Sequence, residues 1–505
     1  MVTVWIDKTI NRIKLQTDDP SAKFFLETSF WENKFIPWRK KRGNILVTER
    51  IYDEKRAVNM DANGLYTFTL GLGWAPYIAN TFKSALSPID YQELVNVVIS
   101  DSYRTTPFPE LRDYQNEDVL HLLHYKIGLF NVYTSYGKTQ VIATLANYYY
   151  SIGKSVLIVT PNKKPNEEVV KRCKTAFNLT VPSDDLRINN IITNGLLNRN
   201  DIKDPDSLAM FEELWASYQV VLCDEVEYTI NNGGKFLYDR LTGAEQLYGF
   251  SGSADKTGGE MITFRDGLSD VVIRNKDLIK YFGPSLVYRR PVTLNINYIS
   301  VLTASLNSVD LKDIKFSANS GEKQENIYLK LMTRLWTNPS VCRTLVQAIK
   351  RYPKMYIPMN NLNEIIKCWI DNYFLGTFRV LLICHEGYVY YDLSGNRTVL
   401  KDLSEACDYV KNGLVDVIPS TSSGFRALDI PGLENIGLFA GKVAGVTLQT
   451  VGRTARGTNM NIITFKPLGR RIPIYSKGVD ERDEMIHEYY KYCNIKDIEI
   501  TEEIL

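Results

Sequence analysis

The sequence predicts an α/β chain with parallel sheet and more than one core, on three observations. The apolar run Ile127-Gly128-Leu129-Phe130 leads into a turn carrying Ser135-Tyr136-Gly137-Lys138-Thr139. A helical run, Gln140-Val141-Ile142-Ala143-Thr144-Leu145-Ala146, follows directly. A second apolar run, Val220-Val221-Leu222-Cys223, reads as a buried parallel strand and ends in Asp224-Glu225-Val226-Glu227. With 505 residues the chain is too long for one hydrophobic core, and the length predicts three or four units.

Residues 1–104 form the first of these, a small α+β module. Met1-Val2-Thr3-Val4-Trp5-Ile6-Asp7 alternates as a strand does, Asp61-Ala62-Asn63-Gly64 is a turn, and residues 91–99 are helical. Arg39-Lys40-Lys41-Arg42 is the densest basic run and follows Trp31, Phe35 and Trp38. Cations beside aromatics suit phosphate contact and base stacking. The same run also reads as a solvated turn leading into a strand at Asn44-Ile45-Leu46-Val47-Thr48. Thr105-Thr106-Pro107-Phe108-Pro109 is an extended linker, because proline interrupts both helix and ladder. A first lobe then spans 105–290, where Pro284 and Pro291 bracket residues 285–290 as an exit. The second lobe, 291–505, holds a polar surface loop at 310–325 and a helix over 328–351. Its strands fall at 379–384, 415–418 and 436–440.

Composition narrows the class of protein. Hydrophobic content is 44%, and no apolar run reaches the roughly 18 residues that cross a bilayer. The start of the chain lacks a basic segment followed by an apolar one, so no secretory signal is expected. Seven scattered cysteines, without a Cys-x-x-Cys pair, indicate a reducing, cytoplasmic setting and argue against a zinc site. The net charge of +2 excludes no partner, since nucleic-acid binding requires only a local basic track.

Strand, tight turn with Gly-Lys-Thr, then helix is the geometry of a phosphate-binding loop. Ser135, Tyr136 and Gly137 turn the backbone so that N–H groups face the anion. Lys138 reaches the β and γ phosphates, and the Thr139 hydroxyl ligates Mg²⁺. The full pattern has glycine where this chain has Val132. Acids at the end of a parallel strand lie where α/β sheets bind ligands. There Asp224 can hold a metal through water, and Glu225 can orient or deprotonate an attacking water. Arg453 and Arg456, three apart, share one helical face. Their planar guanidinium groups suit the charge that develops on a γ-phosphate. The plainer alternatives are an ordinary turn and helix cap, a solvated acidic loop and a surface basic turn.

In order and separation these segments resemble superfamily 2 helicases, over residues 108–470. Leu111-Arg112-Asp113-Tyr114-Gln115 is similar to that family's adenine-recognition segment, Val156-Leu157-Ile158-Val159-Thr160-Pro161 to motif Ia and Ser251-Gly252-Ser253-Ala254 to motif III. Met355-Tyr356-Ile357-Pro358-Met359 resembles motif IV. Ser420-Thr421-Ser422 with Ala427-Leu428-Asp429-Ile430-Pro431 resembles motif V, and Gln449-Thr450-Val451-Gly452-Arg453-Thr454-Ala455-Arg456-Gly457 resembles motif VI. Glu227 departs from the family's commoner His or Asp. The resemblance implies two tandem RecA-like lobes that hydrolyse ATP with Mg²⁺. Arg112, Gln115 and Asp429 join the loop as nucleotide-binding residues, with Lys138, Glu225, Arg453 and Arg456 catalytic. It also implies nucleic-acid contact by Thr160, Lys163, Thr193 and Thr421, alongside Arg39 and Lys40. Thr160, Thr193 and Thr421 read equally as strand-end or capping residues. The N-terminal module and Tyr281-Phe282-Gly283-Pro284-Ser285-Leu286-Val287-Tyr288 resemble the branch-migration and repair group, including phage UvsW-type helicases. That implies a DNA partner, branched or duplex, and a monomer or weak oligomer. An RNA helicase and a non-catalytic nucleotide-binding scaffold stay open beside it.

Overall fold

The computed structural model describes residues 2–9, 11–29, 37–42, 45–50, 59–60, 64–100, 103–133, 136–162, 169, 187–252, 259–263, 269–273, 276–312, 314, 324–359, 362–384, 386–421, 432–439, 451–452, 459–469 and 472–505. The chain forms two compact units. One comprises Met1–Val132 with Gly137–Arg289, the other Tyr133–Tyr136 with Arg290–Leu505. Each is an α/β unit built on a largely parallel sheet, and a small antiparallel sheet opens the chain.

The main sheet of the first unit has eight strands, in the order Gly259–Thr263, Ser269–Ile273, Ser285–Arg289, Ile127–Val132, Gln246–Ser251, Val220–Asp224, Val156–Thr160, Ile188–Ile192. The last six run parallel, and the first two add an antiparallel pair at one edge. Ile127–Val132, Val156–Thr160 and Val220–Asp224 are buried at every position. That is why they are continuous apolar runs: a parallel sheet is covered on both faces. Leu129, Val221 and Cys223 pack on one face against Trp215, Leu237, Tyr238 and Phe282.

The N-terminal sheet is antiparallel, in the order Val2–Asp7, Arg12–Thr17, Tyr66–Gly71, Asn59–Met60. Val2–Asp7 lies at its edge, where unpaired N–H groups invite pairing with other chains. The helix Pro88–Val98, capped by Ser87, answers this. Its Asp90 and Glu93 carboxylates accept from Val4 N (3.4 Å) and Ile6 N (3.1 Å). The module sits directly on the parallel sheet's layer. A Cβ on Gly73 would stand 1.8 Å from the Ile279 carbonyl of the helix Lys276–Phe282, so only glycine allows that approach. Lys126 N also donates to Val98 O at 2.6 Å and Ser100 N to His124 O at 2.8 Å.

The second unit carries a nine-stranded sheet, in the order Arg397–Leu400, Gly387–Tyr391, Val380–Cys384, Val417–Ser420, Met355–Pro358, Asn435–Gly437, Asn459–Pro467, Asn295–Thr303, Asn494–Thr501. From Val380–Cys384 onward the strands run parallel, and the first two are antiparallel. Trp336, Trp369, Phe439, Phe465 and Tyr475 pack on one face, and Tyr298, Tyr356, Leu381, Ile462 and Tyr489 on the other. Register brings asparagines side by side where several strands begin. Asn494 bonds Asn295 and Asn295 bonds Asn459 (3.1 Å each), while Asn297 bonds Asn461 and Asn461 bonds Asn435 (2.8 Å each). A carboxamide offers donor and acceptor together, so a row of them satisfies itself.

Three expectations from the sequence are corrected. Residues 285–290 are more than an exit: the second unit resumes at Arg290, but Ser285–Arg289 is itself a strand pairing in parallel with Ile127–Val132. Its Arg289 is held by a two-pronged bond to buried Asp118 (2.7 and 2.9 Å). The helix expected over 328–351 is two helices, Gln324–Trp336 and Pro339–Arg351. Pro339 has no N–H to continue the first, and Asn338 caps the second by accepting from Ser340 N at 2.9 Å. The basic run is no turn either. Pro37–Arg42 is a strand paired antiparallel with Ile45–Arg50, with Arg42 opposite Ile45. Asp61-Ala62-Asn63 and most of the loop expected at 310–325 lie outside the described residues.

The last strand is fixed by one carboxylate. Glu502 accepts from Ser305 Oγ (2.8 Å), Thr344 Oγ1 (3.2 Å), Ala304 N (3.2 Å) and Thr303 Oγ1. Burial pushes its pKa up, but these donors together outweigh burial and hold it below the ordinary 4.5. A depressed carboxylate stabilises the fold fully above its unfolded pKa and ceases to do so as pH falls through the lower folded value. Glu502→Gln is therefore expected to lower the stability of the second unit by about 1 kcal/mol at pH 7. In urea melts, the difference from the parent should shrink as pH drops below 4.5.

Candidate functional site

The parallel strands of the first unit all end on one side of their sheet, and the candidate residues gather there. The helix Lys138–Ser151 begins just beyond the strand Ile127–Val132, with Gly137 as its N-cap at φ 99°, ψ 35°. That left-handed conformation is open to glycine at little cost, and here it aims the following N–H groups outward from the helix start. Lys138 and Thr139 occupy the first turn, both half-buried. A lysine at a helix N-terminus opposes the macrodipole. Among the described residues the Lys138 ammonium makes no ion pair or hydrogen bond. Cation, helix N-terminus and outward N–H groups together make a strongly anion-attracting position.

Gln115 belongs to the same cluster. It lies in the first turn of the helix Asp113–Leu123, is almost fully buried, and its Oε1 accepts from Arg112 N at 3.0 Å. Its Nε2 faces Gly137, standing 2.6 Å from where a Cβ would be. The loop glycine is favoured by its φ, and a side chain there would also displace the Gln115 carboxamide. Asn116, next along, ties the preceding segment down, bonding Phe108 O (3.0 Å), Leu111 O (3.1 Å) and Phe108 N (2.6 Å). Arg112 is exposed and donates to Tyr114 Oη at 2.8 Å.

The acids stand two strands away. Val220–Asp224 is separated from Ile127–Val132 by the single strand Gln246–Ser251, which sets the two strand ends about 10 Å apart. Asp224 is buried, and its Oδ1 accepts from Glu225 N at 2.9 Å. Glu225 is one of three residues other than glycine with positive φ among the described residues, at 49°. Such a backbone costs of order 1 kcal/mol and persists where the surroundings impose it. The turn carries Glu225 off the strand line at the head of the short helix Val226–Thr229, which includes Glu227.

Thr160 and Thr193, candidates for nucleic-acid contact or for strand-end roles, are buried and bonded within the unit. Thr160 Oγ1 donates to Asn162 O (3.3 Å), Thr193 N to Thr160 O (3.0 Å), and Thr193 Oγ1 accepts from Asn231 Nδ2 (2.9 Å). These are strand-end roles, the alternative the sequence left open. Thr421 in the second unit is also buried, with its N–H on Ile383 O at 2.9 Å. Ser135, Lys163, Asp429, Arg453 and Arg456 lie outside the described residues, and Arg39 and Lys40 are described only as part of their strand.

Asn231 is a residue the sequence reading missed. Its Nδ2 reaches Thr193 Oγ1, Asn194 Oδ1 (2.8 Å) and Tyr228 O (3.1 Å), and its Oδ1 caps the helix Asn232–Tyr238 through Gly234 N (2.9 Å). Asn194 continues to Asn162 Oδ1 at 2.6 Å. One carboxamide therefore joins the turn after the acids to the ends of two other strands. The run Asn231-Asn232-Gly233-Gly234, so soon after Glu227, is the signal that could have drawn attention to it.

No protein-family model and no curated protein sequence matches the chain. Solved structures do. A structure of UvsW from phage T4 is 14% identical, covers 99% of this chain and 99% of its own, and has a TM-score of 0.37. Saccharomyces cerevisiae Dbp5 bound to RNA and ADP BeF3 is 11% identical over 77% of this chain and 90% of its own, with a TM-score of 0.45. The Hef helicase domain of Pyrococcus furiosus is 12% identical over 72% and 97%, with a TM-score of 0.40.

Asn231→Ala removes a helix cap and the donor to buried Thr193 Oγ1, for an expected loss of about 1–2 kcal/mol in chemical denaturation. Asn231→Asp keeps the cap acceptor but not the donors, and the loss should be smaller.

Proposed function

We propose that this chain is an ATP-dependent DNA motor of the superfamily 2 helicase type, which remodels or unwinds branched DNA such as forks, junctions and R-loops. The observation that carries the reading is the half-buried Lys138 on a left-handed glycine at a helix N-terminus, one strand removed from Asp224 and Glu225. A triphosphate is an anion of the kind this arrangement attracts.

Lys138 and the loop N–H groups bind the β and γ phosphates, and Gln115 with Arg112 borders the base. The Thr139 hydroxyl and the Asp224 carboxylate are hard oxygen donors that fit Mg²⁺, most of whose other ligands are waters and phosphate. When bound, the metal neutralises charge building on the phosphates. Glu225 orients the attacking water and takes its proton. Arg453 and Arg456 are assigned to the γ-phosphate oxygens, and Asp429 to the nucleotide, by sequence resemblance alone.

The preference for DNA rests on the resemblance to the branch-migration group and on the N-terminal module, residues 1–104, as reader of the polymer. We assign Arg39 and Lys40 to contact with DNA phosphates. Thr160 and Thr193 then act by shaping the strand ends, with Lys163 and Thr421 as further backbone contacts. Lobes at 105–290 and 291–505 complete the division. Among the described residues no helix is long and apolar enough to cross a membrane.

Steady-state ATPase, measured at fixed salt with no polymer, single-stranded DNA, duplex, a four-way junction and RNA, tests the reading. Strong stimulation by branched or duplex DNA is expected. Stimulation by RNA alone would redirect it to an RNA helicase, and absence of turnover with every polymer to a nucleotide-binding scaffold. Lys138→Ala should abolish turnover. Glu225→Gln should lower kcat by at least about a hundredfold while leaving nucleotide binding in place.

A further inference from the structure

One buried polar group in the first unit has no role in the assignments above. Asn131 is the penultimate residue of the strand that feeds the loop, and it is 0% exposed. Neither its Nδ2 nor its Oδ1 has a hydrogen-bond partner among the described residues. The same strand is otherwise Ile127, Gly128, Leu129, Phe130 and Val132, all buried. An apolar β-branched residue would suit a central parallel strand better, and an unpaired amide inside a sheet is costly.

Register shows what surrounds it. Leu129 pairs with Gly249, and Gly249 pairs with Cys223. Two residues further along, Asn131 pairs with Ser251 on one side and Tyr288 on the other. Ser251 ends the strand that separates the loop strand from the acid strand, and the chain turns away there into Gly252. Alternation puts Asn131 on the sheet face of Leu129, the face on which Val226, just after Glu225, also packs. The carboxamide thus lies level with the strand end next to the acids, on the strand that carries the loop.

We propose that Asn131 is a positioning residue for the hydrolytic site, and this rests on the function proposed above. When the site engages a nucleoside triphosphate, the carboxamide bonds the Ser251-Gly252 strand end and holds it against the phosphate loop. A side chain with both a donor and an acceptor can bridge two backbone groups in this way, and valine cannot. The unpaired amide is the strain that the engaged state relieves.

Asn131→Val and Asn131→Thr have the same shape and differ by one hydroxyl, so the pair separates bonding from packing. Both are compared with the unsubstituted full chain in thermal melting, ATP binding and ATPase with the most stimulatory polymer. Asn131→Val is expected to melt a few degrees higher, to keep its KM for ATP, and to lose roughly tenfold to a hundredfold in kcat. Asn131→Thr should recover part of that loss. Turnover by Asn131→Val within twofold of the parent would overturn the proposal and leave a packing imperfection. A lower melting temperature for Asn131→Val would overturn it too, since the amide would then be bonded already in the resting fold. If the unsubstituted chain binds no ATP and has no turnover, the proposed function fails first and the role of Asn131 with it. Normal parent turnover with an indifferent Asn131→Val removes this inference alone.

Discussion

The arrangement of the first unit depends on the insertion of one strand, Gln246–Ser251, between the loop strand and the acid strand. Parallel ladders hold strand ends at a common level, and each strand adds about 4.8 Å. The inserted strand therefore sets a gap of about 10 Å between the ends of the strands Ile127–Val132 and Val220–Asp224. Were the strands adjacent, Asp224 and Glu225 would crowd the helix start, leaving no room for a phosphate and a hydrated cation. Every group in the proposed site stands on this spacing, from Gly137 with its left-handed backbone to Glu225 with its own.

A sheet covered on both faces must satisfy its polar groups internally, and the second unit does so with few residues. At the solvent-accessible strand starts, two rows of three asparagines, Asn494–Asn295–Asn459 and Asn297–Asn461–Asn435, form where parallel register makes identical side chains neighbours. Deeper in, Arg482 is almost fully buried and donates to Leu438 O at 2.7 Å, to Asp483 Oδ1 at 3.1 Å and to Thr464 Oγ1. Asp483 also takes Lys466 at 2.8 Å and the Tyr298 hydroxyl. A buried guanidinium is tolerable only with its donors occupied. Here they fasten the helix Pro473–Tyr489 to strands from three separate parts of the chain.

Within the first unit, the N-terminal module approaches the parallel-sheet layer closely through its backbone. Gly73 lets its backbone meet the Ile279 carbonyl, and the pair of bonds flanking Ile99 and Tyr125 joins the module's last residues to the start of the parallel sheet. Such contacts fix orientation strictly, since a single Cβ at Gly73 would force the layers apart.

The sequence by itself determined the α/β class, the succession of strand, Gly137 and helix, and the strand ending in Asp224 before Glu225. These are local: apolar runs, a Gly-Lys-Thr turn and a helix are written in consecutive residues, and burial on both faces leaves little other way to fold them. It also carried the break at Asn338-Pro339, although apolar spacing on both sides masked it. Pairing was not legible. Whether residues 285–289 leave a lobe or complete its sheet depends on a partner strand more than a hundred and fifty residues earlier, and whether Arg39 to Arg42 turns or extends depends on Ile45–Arg50 lying opposite. Only the tertiary structure buried Thr160 and Thr193, brought Gln115 against Gly137, and exposed Asn131 and Asn231 as the carboxamides at the strand ends. Hydrogen bonds between distant segments leave no periodicity in a sequence, because their geometry exists only once the strands are in register.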